Sequence, residues 1–75
     1  MYQKPLKIDD LAPDQVKIIV DWDAMVVGAS VFVPCVNNVA AKKQLIEVAT
    51  RKNWGVELRV RIENNMFGVR MWRTV

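Results

Sequence analysis

Arginine and tryptophan side chains near the end of the chain are the groups best suited to binding a ligand. Arg59, Arg61, Arg70 and Arg73 lie close in sequence to Trp72. A guanidinium group forms paired hydrogen bonds with phosphate, and an indole ring provides a surface on which a nucleic-acid base stacks. Arginines beside an aromatic ring on a sheet are therefore typical of nucleic-acid-binding surfaces.

Residues 56–75 predict the hairpin that would bring these side chains together. Apolar and charged residues alternate over 56–63, which is typical of a strand with one buried face. Asn64 and Asn65 tolerate positive φ, so they predict a two-residue turn and a return strand over 66–73. The turn fixes the register. It pairs Arg59 with Arg70, Arg61 with Gly68 and Glu57 with Trp72 on the outer face, and Leu58 with Met71, Val60 with Val69 and Ile62 with Phe67 on the inner face.

The opposed pair Arg59 and Arg70 has three interpretations. In the first, the pair is kept for binding an anion, because like charges opposite each other on neighbouring strands otherwise cost stability. In the second, Glu57 and Glu63 neutralise the arginines, and Trp72 covers them through cation–π contacts. In the third, the helix or a second subunit covers this face.

A helix over residues 39–52 is predicted to follow the natural N-cap residues Asn37 and Asn38. Lys42 and Lys43 lie near its start, where the helix dipole does not favour positive charge. These lysines either extend a phosphate-binding groove or are simply solvated.

Two further strands are predicted before the helix. Residues 16–22 alternate apolar and polar side chains, and residues 30–36 are rich in β-branched and aromatic side chains. Pro34 has no backbone N–H, so the second of these strands is expected at a sheet edge or to end there.

These elements predict a single small α+β domain over residues 15–75 with the order β-β-α-β-β. We expect a four-stranded, largely antiparallel sheet with one helix packed on a face. Residues 1–14, which are interrupted by two prolines, are predicted to form an irregular N-terminal lead-in.

The composition excludes several classes of site. A chain of 75 residues forms at most one domain. It contains no histidine and a single cysteine, Cys35, which excludes a zinc site, an intramolecular disulfide and a histidine-based catalytic triad. Asp21 and Asp23 alone do not complete a set of metal ligands. We therefore expect no cofactor, no bound metal and no enzymatic activity.

Charge is distributed unevenly along the chain. Residues 1–36 carry three lysines and five aspartates, whereas residues 37–75 carry eight lysines and arginines and three glutamates. The basic half either binds an anionic partner or is a solvated surface that keeps the protein soluble. Because we find neither a signal peptide nor a membrane-spanning stretch, and one unpaired cysteine fits a reducing compartment, we expect a cytoplasmic protein without membrane contact.

Two short motifs carry a resemblance to a known group of proteins. Residues 28–34 read G-A-S-V-F-V-P and residues 68–73 read G-V-R-M-W-R. With the alanine- and lysine-rich helix between them, they resemble the G-x-S-h-F-V-P and G-h-R-h-W-R patterns (h is hydrophobic) of small uncharacterised proteins of tailed bacteriophages. The resemblance covers about residues 22–74, and Ala29 departs from the acidic residue expected there. It implies a phage-encoded intracellular protein and carries over no functional residues.

The sequence thus predicts a small nucleic-acid-binding accessory protein, for DNA or RNA, that uses a basic, Trp-containing sheet face. The alternative is a protein–protein interaction module that inhibits or adapts a host protein. A homodimer is expected, because small sheets often complete their core by pairing. The predicted nucleic-acid-binding residues are Arg59, Arg61, Arg70, Trp72, Arg73, Lys42 and Lys43.

Overall fold

The computed structural model describes residues 9–75 of the chain. Within these residues a short 3-10 turn, Trp22–Ala24, precedes strand β1, Ser30–Pro34. Helix α1, Asn38–Lys52, follows, and the hairpin of β2, Val56–Glu63, and β3, Met66–Arg73, completes the fold. The architecture is α+β with one helix, as predicted.

The predicted four-stranded sheet and β-β-α-β-β order are wrong. The sheet has three strands in the spatial order β1-β3-β2, and the chain order is β-α-β-β. Residues 16–22 form no strand, and their one bridge joins Ile18 to Leu11, where the Ile18 N–H donates to the Leu11 carbonyl at 2.6 Å.

The strand predicted over residues 16–22 does not form because an alternating pattern predicts which side chains are buried and not whether the backbone has a partner strand. Ile18, Val20 and Trp22 do pack against the core, while Ile19 and Asp21 between them are exposed. Val16 has the same parity as the packed residues, but it is 68% exposed. Alternation therefore identifies the buried side of an extended segment, but it does not supply a strand for its backbone to pair with. Of the predicted lead-in, residues 1–8 lie outside the described residues.

The C-terminal hairpin has the predicted register at every position. Arg59 pairs with Arg70, and Leu58 pairs with Met71. The turn residues Asn64 and Asn65 have φ values of 51° and 64°, as a two-residue turn with two left-handed positions requires. β3 lies in the centre of the sheet and pairs antiparallel with β1 on its other side. Pro34 therefore lies on an edge strand, as its missing N–H predicts.

An asparagine caps each end of helix α1. The Asn37 side-chain oxygen accepts a hydrogen bond from the Ala40 N–H at 3.1 Å, which satisfies a free donor of the first turn. Asn53 ends the helix in the left-handed conformation at φ 58°. The buried residues of the helix lie on one face at helical spacing: Ala41, Leu45, Val48 and Ala49.

The helix packs on one face of the sheet, and no other helix within residues 9–75 packs on the opposite face. Val33, Val69 and Met71 form the core with it. The helix does not cover the inner face as far as the hairpin turn, so Ile62 remains 73% exposed although its register is as predicted.

Candidate nucleic-acid interface

The side chains that alternate with the core residues form the open face of the sheet, on which no helix or strand of residues 9–75 packs. The central strand contributes an arginine and a tryptophan, and the flanking strands contribute charged residues on one side and a phenylalanine on the other. The open face consists of Ser30, Phe32 and Pro34 on β1, Gly68, Arg70 and Trp72 on β3, and Glu57, Arg59, Arg61 and Glu63 on β2.

Arg70 lies at the centre of the open face and joins all three strands. Its Nε donates to Glu63 Oε2 at 2.6 Å, and its Nη1 donates to the Ser30 hydroxyl at 2.7 Å. Nη2 donates to the second oxygen of Glu63, and the guanidinium lies 5.7 Å from the centre of the Phe32 ring. Most of its donors are therefore engaged within the sheet, which suits a positioning role.

Glu63 is the carboxylate on which this network depends. The hydrogen bond from Arg70 lowers the pKa of Glu63 and is the largest effect. Burial opposes it, and the nearby charges of Arg70 and Arg61 lower the pKa further. Conversely, the hydrogen bond to Glu63 raises the pKa of Arg70. Both groups are charged near neutral pH, so the pair is a fixed feature of the face.

Arg59 and Arg61 are the accessible guanidinium groups of the open face. The Arg59 side chain is 66% exposed and donates from Nη2 to Glu57 Oε1 at 2.8 Å. The Arg61 side chain is 51% exposed, and its Nε lies 3.3 Å from Glu63 Oε2. The opposed pair Arg59 and Arg70 avoids direct repulsion because the two guanidiniums turn to different carboxylates.

Trp72 forms part of a depression on this face. The Arg61 guanidinium lies 5.9 Å from the centre of the Trp72 ring. With Glu57, Arg59 and the loop at Val27 and Gly28, these side chains line a depression of about 540 Å³. This volume lies within the range of small-ligand sites, and its lining combines an aromatic surface with cationic donors.

Arg73 borders the depression, but its guanidinium is used elsewhere. It lies on the helix-side face of β3, where Nη1 donates to the Met25 carbonyl at 2.8 Å and Nε donates to the Val75 carbonyl at 3.0 Å. The group also lies 4.4 Å from the centre of the Trp54 ring. Arg73 therefore joins the loop before β1, the helix end and the C-terminus.

Lys42 and Lys43 are not brought together with the arginines. Both lie on α1, which packs on the opposite face of the sheet. The predicted residues are thus divided between two sides of the molecule, and a groove continuous from these lysines to Arg59 does not form.

Ser30 and Phe32 belong to the open face and were missed in the sequence. Their shared parity within residues 30–34 is visible, but assigning them to the arginine face requires knowing that β1 pairs with β3. If the sheet order β1-β3-β2 had been predicted, it would have placed Ser30 and Phe32 on the same face as Arg70.

The described residues offer little for other chemistry. Among residues 9–75 no group of three or more His, Cys, Asp or Glu side chains could hold a metal ion. Cys35 is buried, and its burial raises the pKa of the thiol. No helix in this part of the chain is both long and apolar enough to cross a bilayer.

Comparison of the chain with protein-family models, with curated proteins and with solved structures gave no match. The function is therefore inferred from the geometry of the open face.

Proposed function

We propose that this protein is a small accessory protein that binds single-stranded nucleic acid on the open face. Arg59 and Arg61 contact backbone phosphates, and Trp72 stacks on an unpaired base. The observation that carries the proposal is the depression in which one indole ring and two accessible guanidinium groups lie side by side. A single strand fits this site better than a duplex, because a base reaches an indole ring only when it is not stacked in a helix.

Glu57 and Glu63 orient the guanidinium groups for this role. Each carboxylate engages an arginine along the sheet surface, so the remaining N–H groups of Arg59 and Arg61 are directed to solvent from a restrained position. A phosphate then meets donors that are already ordered, which reduces the entropy lost on binding. Arg70 contributes by holding Glu63 and Ser30 in place.

The test is binding of a fluorescently labelled single-stranded oligonucleotide at two salt concentrations. The double variant Arg59→Ala with Arg61→Ala should bind at least tenfold more weakly. Its affinity should also depend less on salt, with the slope of log K against log salt smaller in magnitude by roughly 1.4 for two lost phosphate contacts.

The matched control is Lys42→Ala with Lys43→Ala, which removes the same charge from the opposite side of the molecule. This variant should bind much as the parent does, apart from a small general electrostatic loss. Equal weakening by the two double variants would show that binding follows net charge alone and would remove the open face as the site.

A protein partner is the second candidate, and the ion pairs of the open face favour it. Three arginines and two glutamates share the face, so its potential is much less positive than the arginines alone would give. Arginine and tryptophan are also common anchors of protein interfaces. Absence of any salt-sensitive oligonucleotide binding by the parent would favour this candidate, a module that inhibits or adapts a host protein.

A further inference from the structure

Strand β2 leaves one whole side of its backbone without a strand partner among the described residues. It is an edge strand of eight residues, and it contains neither proline nor glycine. Glu63 and Met66 flank the two-residue turn and pair directly, so the odd-numbered residues of β2 exchange hydrogen bonds with β3. The even-numbered residues direct their N–H and C=O groups outwards, which is a template for another strand.

The opposite edge of the sheet is protected. β1 has only five residues, and Pro34 at its end lacks an N–H. Residues 18–21 also lie near Ser30 and Phe32, across a cavity of about 300 Å³, and so restrict the approach of another strand to this edge. Protection of one edge and not the other singles out β2 as the edge suited to strand addition.

Apolar side chains extend from the free edge of β2 onto the helix. Val60 and Ile62 lie on the helix side of β2 and are 40% and 73% exposed. The flank of α1 that carries Gln44 faces the N-terminal segment, because Gln44 Oε1 accepts from the Ala12 N–H at 2.8 Å. At 100° per residue Ile46 lies on the other flank, and it is 50% exposed.

We propose that two copies of this chain pair antiparallel along β2 and form one continuous six-stranded sheet. The charges of the open face and the length of the ladder together favour one register. With the two-fold axis at Arg59, each Glu57 lies opposite Arg61 of the second copy, and the two Arg59 side chains meet on the axis, each paired with its own Glu57. On the helix side, Val56 then lies opposite Ile62 of the second copy and Leu58 lies opposite its Val60, so every helix-side pair is apolar.

The neighbouring registers are less favourable. With the axis at Val60, Glu57 lies opposite Glu63 and Arg59 lies opposite Arg61, so four like-charged pairs form across the interface. With the axis at Arg61, Leu58 lies opposite Asn64, and fewer residues take part in the ladder. With the axis at Leu58, Glu57 lies opposite Arg59, but the ladder extends only from Val56 to Val60. The register centred on Arg59 therefore has the longest ladder among those that place a glutamate opposite an arginine, and it contains a single like-charged pair, Arg59 with Arg59.

The helices also fit this arrangement. α1 packs over β2 and β3 and returns to β2 through a short connection, so the middle of the helix lies near the middle of the strand. With strands about 4.8 Å apart, two helices related by the axis would lie roughly 10 Å apart, a normal packing distance. Ile46 lies near the middle of α1 and would contact its counterpart there.

Sedimentation of the purified protein over a range of concentrations tests the proposal. The parent chain should sediment as a dimer, at twice the 8.6 kDa of one chain. Ile62→Lys should raise the dissociation constant at least tenfold. Val36→Lys is the matched control, since Val36 is 84% exposed and lies away from β2, and it should leave the dimer intact. A parent that is monomeric at all concentrations, or an equal effect of both variants, would overturn the proposal.

A charge exchange tests the register. Within one chain Glu57 pairs with Arg59, and Arg61 pairs with Glu63, so Glu57 and Arg61 form no ion pair with each other. Glu57→Arg and Arg61→Glu should each weaken the dimer, and the double variant should restore most of the loss. A double variant as weak as the sum of the single variants would contradict the proposed pairing. These measurements use no oligonucleotide, so their outcome is separate from that of the proposed function.

Discussion

Individual side chains of the open face are held by a small number of contacts, and Glu63 makes the most consequential ones. It accepts both hydrogen bonds of the Arg70 fork and lies within 3.3 Å of Arg61. Neutralisation of the arginines by Glu57 and Glu63 was one of three interpretations of the sequence. The register places Arg59 opposite Arg70 and Glu63 opposite Met66, so the reach of Arg70 past Gly68 to Glu63 could not be predicted from it. The contact between Arg70 and Ser30 could not be predicted, because the two residues are far apart in sequence and meet only when β1 pairs with β3.

Replacing Glu63 should change how stability depends on pH. The pKa of Glu63 is lowered in the folded protein, so its contribution is present above the unfolded pKa and is lost as pH falls through the folded pKa. Glu63→Gln should be less stable than the parent at pH 7, and the difference should shrink as pH falls to ~3. Urea unfolding across this range measures it. A constant difference at all pH values would contradict the role assigned to the carboxylate.

Gly68 is required by close packing at the centre of the sheet. A Cβ atom at this position would overlap the Val33 carbonyl oxygen and lie 2.8 Å from the Phe32 ring and 2.9 Å from Pro34 Cα. Because two of these neighbours are backbone atoms, β1 would have to move away from β3.

Gly68→Ala should therefore lower the free energy of unfolding by about 3 kcal/mol or more. Gly28→Ala is the control, because Gly28 has open space around it and only its φ of 89° resists a side chain. That variant should cost about 1–2 kcal/mol. Urea denaturation compares the two, and a smaller loss for Gly68→Ala than for Gly28→Ala would contradict this account of β1 packing.

At the level of secondary structure, the hairpin could be predicted because its two strands pair with each other. The strand predicted over residues 16–22 was wrong, because a strand there would need a partner from elsewhere in the chain. The hairpin contains both strands and the turn that sets their register, so alternation and two asparagines suffice. Residues 16–22 show similar alternation, but among residues 9–75 no adjacent segment forms a strand with them. Ile18, Val20 and Trp22 pack inwards, and within this part of the chain the backbone of the segment pairs through the bridge from Ile18 to Leu11.

The two asparagines at the start of α1 differ in role. Asn37 caps the helix through its side chain, whereas Asn38 is the first helical residue. Asn37→Ala should cost about 1 kcal/mol, because an N–H of the first turn loses its acceptor. Asn38→Ala should change stability by less than ~0.5 kcal/mol, since alanine is a better helix former. Thermal unfolding monitored by circular dichroism distinguishes them, and equal losses would contradict the assignment of the cap.

Over the whole molecule, the division into two faces decides which predicted residues act together. The sequence shows a basic second half, but the fold distributes those charges over both sides of the sheet. Arg59 and Arg61 remain on the open face, whereas Lys42 and Lys43 lie on the helix side. Charge asymmetry along a chain thus indicates the kind of partner, and only the packing of the helix shows where that partner would lie.

Mapping the contact surface by NMR is the most direct test of the central claim. A two-dimensional ¹H–¹⁵N spectrum of the labelled protein would be recorded during titration with an unlabelled single-stranded oligonucleotide. We expect the indole N–H of Trp72 and the backbone amides of Arg59 and Arg61 to shift, while the amides in the exposed turns of α1 do not. Shifts confined to α1, with the Trp72 indole unchanged, would contradict it.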